Sequence, residues 1–135
     1  MTVPTPAQVL EQRRELLLKQ DVEGFVDLFA PDAVLELPFA GPGMPSRLAG
    51  QQAIRDFSRR TAASPLRIDD LEPTAIYHTD DPEVIITELA TRGTVTSTGR
   101  TFAGTSIQVF RIRDGKIVLF RDYFDAGGLQ DFLAV

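Results

Sequence analysis

The first half of the chain repeats its apolar positions with a helical period. Val9, Leu10, Leu16 and Leu17 fall on one side of a helix. Thr5 supplies a capping hydroxyl and Pro6 suits the first turn, so a first helix is predicted to about residue 19. Asp21 caps a second predicted helix whose apolar side is Phe25, Val26, Leu28 and Phe29, with Pro31-Asp32 ending it. Residues 33–38 read as a short strand. Residues 39–45, rich in Gly and Pro, read as a loop. Ile54 and Phe57 mark a third helix over residues 50–61.

After Pro65 the period becomes two. Residues 66–78 contain strand-like pieces, and Thr79-Asp80-Asp81-Pro82 is a turn. Residues 83–96, rich in Val, Ile and Thr, form a predicted long strand, turned back by Ser97-Thr98-Gly99-Arg100. Two more strands, 101–113 and 116–124, flank Asp114-Gly115, a strong hairpin signal. Residues 129–135 read as a short apolar tail, a helical turn at most. Three helices followed by consecutive antiparallel strands is an α+β order, and 135 residues suit one domain spanning 1–135.

Alternation sorts the last two strands by face. Gly104, Ser106, Gln108 and Phe110 share one face with Val118, Phe120, Asp122 and Phe124 across the hairpin. The other faces carry Thr105, Ile107, Val109, Arg111 and Arg113, and Ile117, Leu119, Arg121 and Tyr123. The first set is expected to cover a core or pocket. The second, with Arg and Tyr among apolar residues, has the composition of a subunit interface and predicts a homodimer.

Charge and composition narrow the function. A net charge of −5 argues against a nucleic-acid partner, which needs a basic face. The absence of cysteine excludes disulfides and thiolate chemistry, and one histidine makes a zinc site improbable. Asp69-Asp70 and Asp80-Asp81 lack the spacing of a metal site. His78, beside its turn, reads as a solvated histidine, and Asp125 as a cap for the tail. Nine Phe and no Trp supply apolar surface or a cavity lining. No apolar run approaches a membrane span and the N-terminus lacks a signal-peptide pattern, so a cytoplasmic protein without membrane partner is expected.

Several stretches resemble a known family. Asp21-Val22-Glu23-Gly24-Phe25-Val26-Asp27-Leu28-Phe29-Ala30-Pro31-Asp32-Ala33-Val34 is similar to the helix-to-strand entry of ketosteroid isomerases and SnoaL-like proteins, as is Glu36-Leu37-Pro38-Phe39. The run from Val109 to Ile117, then Arg121-Asp122-Tyr123-Phe124, looks like the family's final hairpin. The resemblance covers nearly the whole chain. It implies the cone of the nuclear transport factor 2-like superfamily: a curved mixed or antiparallel sheet wrapped around three N-terminal helices, enclosing an apolar pocket, and dimerising through the outer sheet face.

The same resemblance tests the chemistry. Ketosteroid isomerase uses an Asp base with a Tyr and a protonated acid as oxyanion hole. The matching positions here are Leu37, Arg13 and Gln108. None can play its part, so this chain is not expected to be a Δ5-3-ketosteroid isomerase. Glu36, next to the base position, alternates to the opposite face. The Arg-x-Asp pair of limonene-type epoxide hydrolase is absent from Thr87-Glu88-Leu89-Ala90-Thr91. SnoaL-type cyclases place an acid/base aspartate on the last strand, which matches Asp122.

Asp122 between Phe120 and Phe124 should be desolvated and its pKa raised. It is the candidate proton-transfer residue, with Gln108, Ser106 and Arg13 orienting substrate or an enolate. Leu37, Phe110, Phe120 and Phe124 would wall the substrate. The competing reading is a structural acid satisfied by Arg13 or by backbone. Gly41-Pro42-Gly43-Met44-Pro45 would be a flexible lip at the mouth of the pocket. The expected function is binding of a small hydrophobic molecule, with cofactor-free, metal-free isomerase or cyclase chemistry on a carbonyl substrate. The alternatives are a non-catalytic binder and a protein-interaction scaffold.

Overall fold

The computed structural model describes residues 2–126. Helix α1 (Pro6–Leu18) starts where the sequence places it, because Thr5 and Gln8 form a reciprocal capping box. The Gln8 amide donates to the Thr5 hydroxyl at 3.2 Å, and the Thr5 amide to Gln8 Oε1 at 2.9 Å. Helix α2 (Val22–Asp27) is capped by Asp21, whose carboxylate accepts from the Gly24 amide at 2.9 Å. Helix α3 (Gln51–Ala63) buries Ile54 against the core.

The second helix is shorter than predicted. It stops at Asp27, and Phe29 already begins strand β1 (Phe29–Glu36), which runs through Pro31. The Ile117 amide reaches back to the Leu28 carbonyl at 2.9 Å and claims the chain for the sheet. The register shifts between Phe29 and Val34, so Pro31 lies in an irregular stretch where its missing N–H removes no regular ladder bond. A three-residue strand β2 (Arg47–Ala49), which sequence periodicity does not reveal, pairs antiparallel with β1.

Strands β3 (Leu66–His78), β4 (Val84–Val95), β5 (Arg100–Arg113) and β6 (Lys116–Phe124) follow the expected bounds closely. The sheet order is β2-β1-β6-β5-β4-β3. All pairings are antiparallel except β1 with β6, which makes the sheet mixed. Asp114 and Gly115, at φ 51° and 76°, turn β5 into β6 with both central residues left-handed, the geometry that matches strand twist.

The helices lie on the inner side of this curved sheet. Between them the core gathers Val9 and Leu10 of α1, Phe25 and Val26 of α2, Ile54 of α3, and Leu35, Ile85, Phe110, Ile112 and Phe120 from the strands. One face assignment changes. Ile117, expected on the outer face with Leu119, is fully buried. A register shift after Arg111 pairs Ile112 with Ile117 but Arg111 with Leu119, so the extra residue Val118 flips the start of β6 inward. From Leu119 onward the strand alternates as expected. The tail at 129–135, and Gly127-Gly128 before it, lie outside the described residues.

Candidate functional site

Position 13 sits in the middle of the apolar side of α1. It lies four residues after Val9 and three before Leu16, so it shares their face. That spacing drives Arg13 into the core, where it is 3% exposed. Two aromatic rings receive it. Phe110 and Phe120 are cross-strand partners stacked at 4.5 Å with 14° between planes. The Arg13 guanidinium carbon lies 4.9 Å from the Phe110 centroid and 5.5 Å from that of Phe120.

The next pair along the same ladder is Gln108 opposite Asp122. Two-residue alternation therefore stacks a polar pair directly beyond the aromatic pair, on the same inner face. Gln108 is 5% exposed. Asp122 as a residue is only partly buried, but its Oδ1 is sealed from solvent. Burial pushes the Asp122 carboxyl above the usual carboxylate range. A hydrogen bond from the Gln108 side chain and the positive charge of Arg13 oppose that push without cancelling it. Burial also lowers the Arg13 pKa to about 10, against the pull of Asp122. At neutral pH the guanidinium is still charged.

The two opposite charges sense one another, yet no N–O approach within 4.0 Å makes them an ion pair. Arg13 Nε, Gln108 Oε1 and Asp122 Oδ1 are all buried without a hydrogen-bond partner among the described residues. Native proteins rarely leave buried polar atoms in this state.

The remaining predicted residues are distributed around this centre. Ser106 is on the same face, one pair further along and opposite Phe124, and makes no hydrogen bond to Asp122 among the described residues. Phe124 is half-buried against the core, and Leu37 is 4% exposed within it. Glu36 points outward as expected, with Arg121 Nε 3.2 Å from its carboxylate. Arg111 and Arg113 are also tied down outside, to Asp81 and Glu83 at 2.9–3.0 Å. His78 is exposed at the end of β3, beside the turn.

The lip at 39–45 is more anchored than its composition suggests. Ala40 and Met44 pack on the core, and the exposed Phe39 meets the Tyr123 ring edge-on at 5.5 Å. Two surface hollows are present, one along α1 by Gln8 and Glu11 and one by Asp69, Arg92 and Phe102. Neither is lined by Arg13, Gln108 or Asp122. The site is marked by its unsatisfied buried atoms.

Sequence reasoning saw Phe110 and Phe120 as substrate walls and missed that they first enclose Arg13. The signal was present in an arginine at the centre of an apolar stripe. It also missed Thr87, 1% exposed and opposite Gln108, whose hydroxyl donates to the Ala75 carbonyl at 3.1 Å. That bond makes Thr87 a brace between β4 and β3.

The sequence profile of the SnoaL-like domain family matches residues 10–120, a span that includes Arg13, Gln108 and both stacked phenylalanines. The chain belongs to the SnoaL-like family. It is 35% identical over 119 residues to an uncharacterised PhzA/B-like protein of Pseudomonas aeruginosa, covering 87% of this chain and 82% of that one. A solved structure of a candidate isomerase from Bacillus subtilis superposes with a TM-score of 0.89 at 26% identity, covering 95% of this chain and 91% of the other. A Mycobacterium tuberculosis protein solved with estradiol-17β-hemisuccinate superposes at 0.76 with 21% identity, covering 92% and 97%. The fold is the ketosteroid isomerase-like, NTF2-like cone. Among the described residues no helix is long and apolar enough to cross a membrane, and no cluster of three or more His, Asp or Glu is placed to hold a metal ion.

Proposed function

We propose that this SnoaL-like protein binds a small, largely hydrophobic carbonyl compound on the inner sheet face and moves a proton on it with Asp122. The observation that carries this reading is the arrangement of Arg13 and Asp122: opposite charges that sense one another inside the fold without forming an ion pair, each with a buried unsatisfied atom. A structural ion pair would have closed the gap. The ligand-bound relative and the isomerase-like neighbour support a small-molecule site in this cone.

In the proposed reaction the Asp122 carboxylate removes a proton from the carbon next to the carbonyl. The C–H electrons move into the carbon–carbon bond and the carbonyl oxygen becomes an enolate, facing Arg13. Asp122 is then neutral and Gln108 keeps it oriented. Returning the proton at another carbon gives an isomer; attack of the enolate carbon on a second carbonyl closes a ring, and Asp122 gives its proton to the new alkoxide oxygen. The net charge of the site stays constant throughout, which suits a group of low solvation. A raised carboxyl pKa brings Asp122 closer to that of the carbon acid. Steroid 5-ene-3-ketones are not the substrate, since Leu37 stands where that reaction needs its base.

Deuterium uptake into 2-indanone, followed by NMR in D2O, tests the proton transfer. The wild-type chain should exceed buffer by about 100-fold or more, the usual yield of a positioned base, and Asp122→Asn should return to background. Equal uptake by the two proteins refutes the assignment. Ligand binding without uptake selects the second reading, a non-catalytic binder.

The proposal includes a homodimer through the outer sheet face in a cytoplasmic setting. Ile107 and Tyr77 are 47% and 51% exposed there, on the face shared with Ile86, Val109 and Leu119. The lack of cysteine suits a reducing compartment. Light scattering should give twice the chain mass, and Ile107→Asp should halve it. A monomeric wild type ends the dimer reading.

A further inference from the structure

The unsatisfied atoms carry more information than a proton-transfer role requires. Arg13 Nε can only donate, whereas Gln108 Oε1 and Asp122 Oδ1, on an ionised carboxylate, can only accept. They come from α1, β5 and β6, so no local feature of a single element leaves them unpaired. Arg13 and Gln108 are both more than nine-tenths buried. One donor and two acceptors therefore await a complementary group.

The charges add a second constraint. The guanidinium and the carboxylate already balance, inside a setting walled by Phe110 and Phe120. A ligand carboxylate would satisfy Arg13 but bring a second negative charge beside Asp122 and offer nothing to Gln108. An ammonium group would satisfy both acceptors and confront Arg13. A plain ketone would serve Arg13 and leave two acceptor oxygens unpaired. Hydrocarbon would serve none.

We infer that the recognised ligand is uncharged and carries, on one atom or on neighbouring atoms, an acceptor for Arg13 Nε and a hydroxyl-type donor for one of the two acceptors, Gln108 Oε1 or Asp122 Oδ1. The fitting class is a neutral alcohol, enol or hydroxy-ketone on an apolar frame. The inference rests on the binding site proposed above and specifies what it selects.

A matched set of indane compounds tests it by calorimetric titration of the wild-type chain: 2-indanol, 2-indanone, indane-2-carboxylate, 2-aminoindane and indane. 2-Indanol should bind at least tenfold more tightly than the other four, because a site built to hydrogen-bond a hydroxyl rejects analogues that leave its buried atoms unpaired. Gln108→Leu and Arg13→Met, each checked for its circular dichroism, should bring 2-indanol within threefold of indane. Comparable affinity of the wild type for the carboxylate, the amine, the ketone or the hydrocarbon overturns the polar assignment and leaves the binding site standing. Failure of all five to bind removes the site and this inference together.

Discussion

Replacing Arg13 by methionine separates a functional charge from a structural one. The drop in the Arg13 pKa to about 10 means that burial penalises its charged form more than Asp122 repays. At about 1.4 kcal/mol per pH unit, that net penalty is about 3 kcal/mol. Methionine has a similar length and helix propensity, so α1 itself should not suffer. The cation–π contacts with Phe110 and Phe120 are lost, worth about 1 kcal/mol, and a thioether over the same rings returns a comparable amount.

Arg13→Met should therefore stabilise the fold by about 3 kcal/mol in urea titration. Its Tm should rise by roughly 9 °C, taking about 3 °C per kcal/mol for a domain of this size. Proton transfer should be lost at the same time. The opposite expectation is equally definite. Removing one partner of a locked buried ion pair costs about 3–5 kcal/mol, because the other charge is stranded. A destabilisation of that size would refute the reasoning and make Arg13 and Asp122 a structural pair.

Asp122 is an acid whose folded pKa is raised, so the native state holds its proton longer than the unfolded chain does. Its contribution to stability is best below the unfolded value and declines as pH rises through the folded one. Asp122→Asn should remove that decline, and its advantage over wild type in urea titration should grow from pH 3 to pH 8; a constant difference would contradict the raised pKa. Gly93→Ala should cost about 1–3 kcal/mol in the same assay, since a Cβ there would meet the Arg67 carbonyl oxygen at 2.5 Å and the Phe102 ring; unchanged stability would show that β3 and β4 yield easily. Thr5→Ala breaks the capping box and should cost about 1 kcal/mol, with Thr5→Ser recovering most of it.

The parts legible in the sequence were those governed by local rules. Capping at Thr5 and Asp21, the Asp114-Gly115 turn and the alternation of Ser106, Gln108 and Phe110 all follow from near neighbours along the chain. Two errors arose where distant parts decide. Pro31 looked like a helix end, but it was β6 that claimed Phe29 and shortened α2. Plain alternation points Ile117 outward, because a bulge at Val118 leaves no mark in a pattern of Ile-Val-Leu-Phe. The polar centre was half legible. Family resemblance brought Asp122, Gln108 and Arg13 forward separately, whereas the aromatic enclosure of Arg13 and the gap before Asp122 depend on the docking of α1.

The parallel seam between β1 and β6 has a consequence for how the molecule comes into being. Phe29 must wait for Ile117, so the seam between β1 and β6 cannot close until the 87 residues between Phe29 and Ile117 have been made. A nascent chain lacking its last hairpin lacks Ile117 and Phe120, the residues of β6 that pair with Phe29 and Leu35. During synthesis on the ribosome the first strand therefore stays without this neighbour until β6 has emerged.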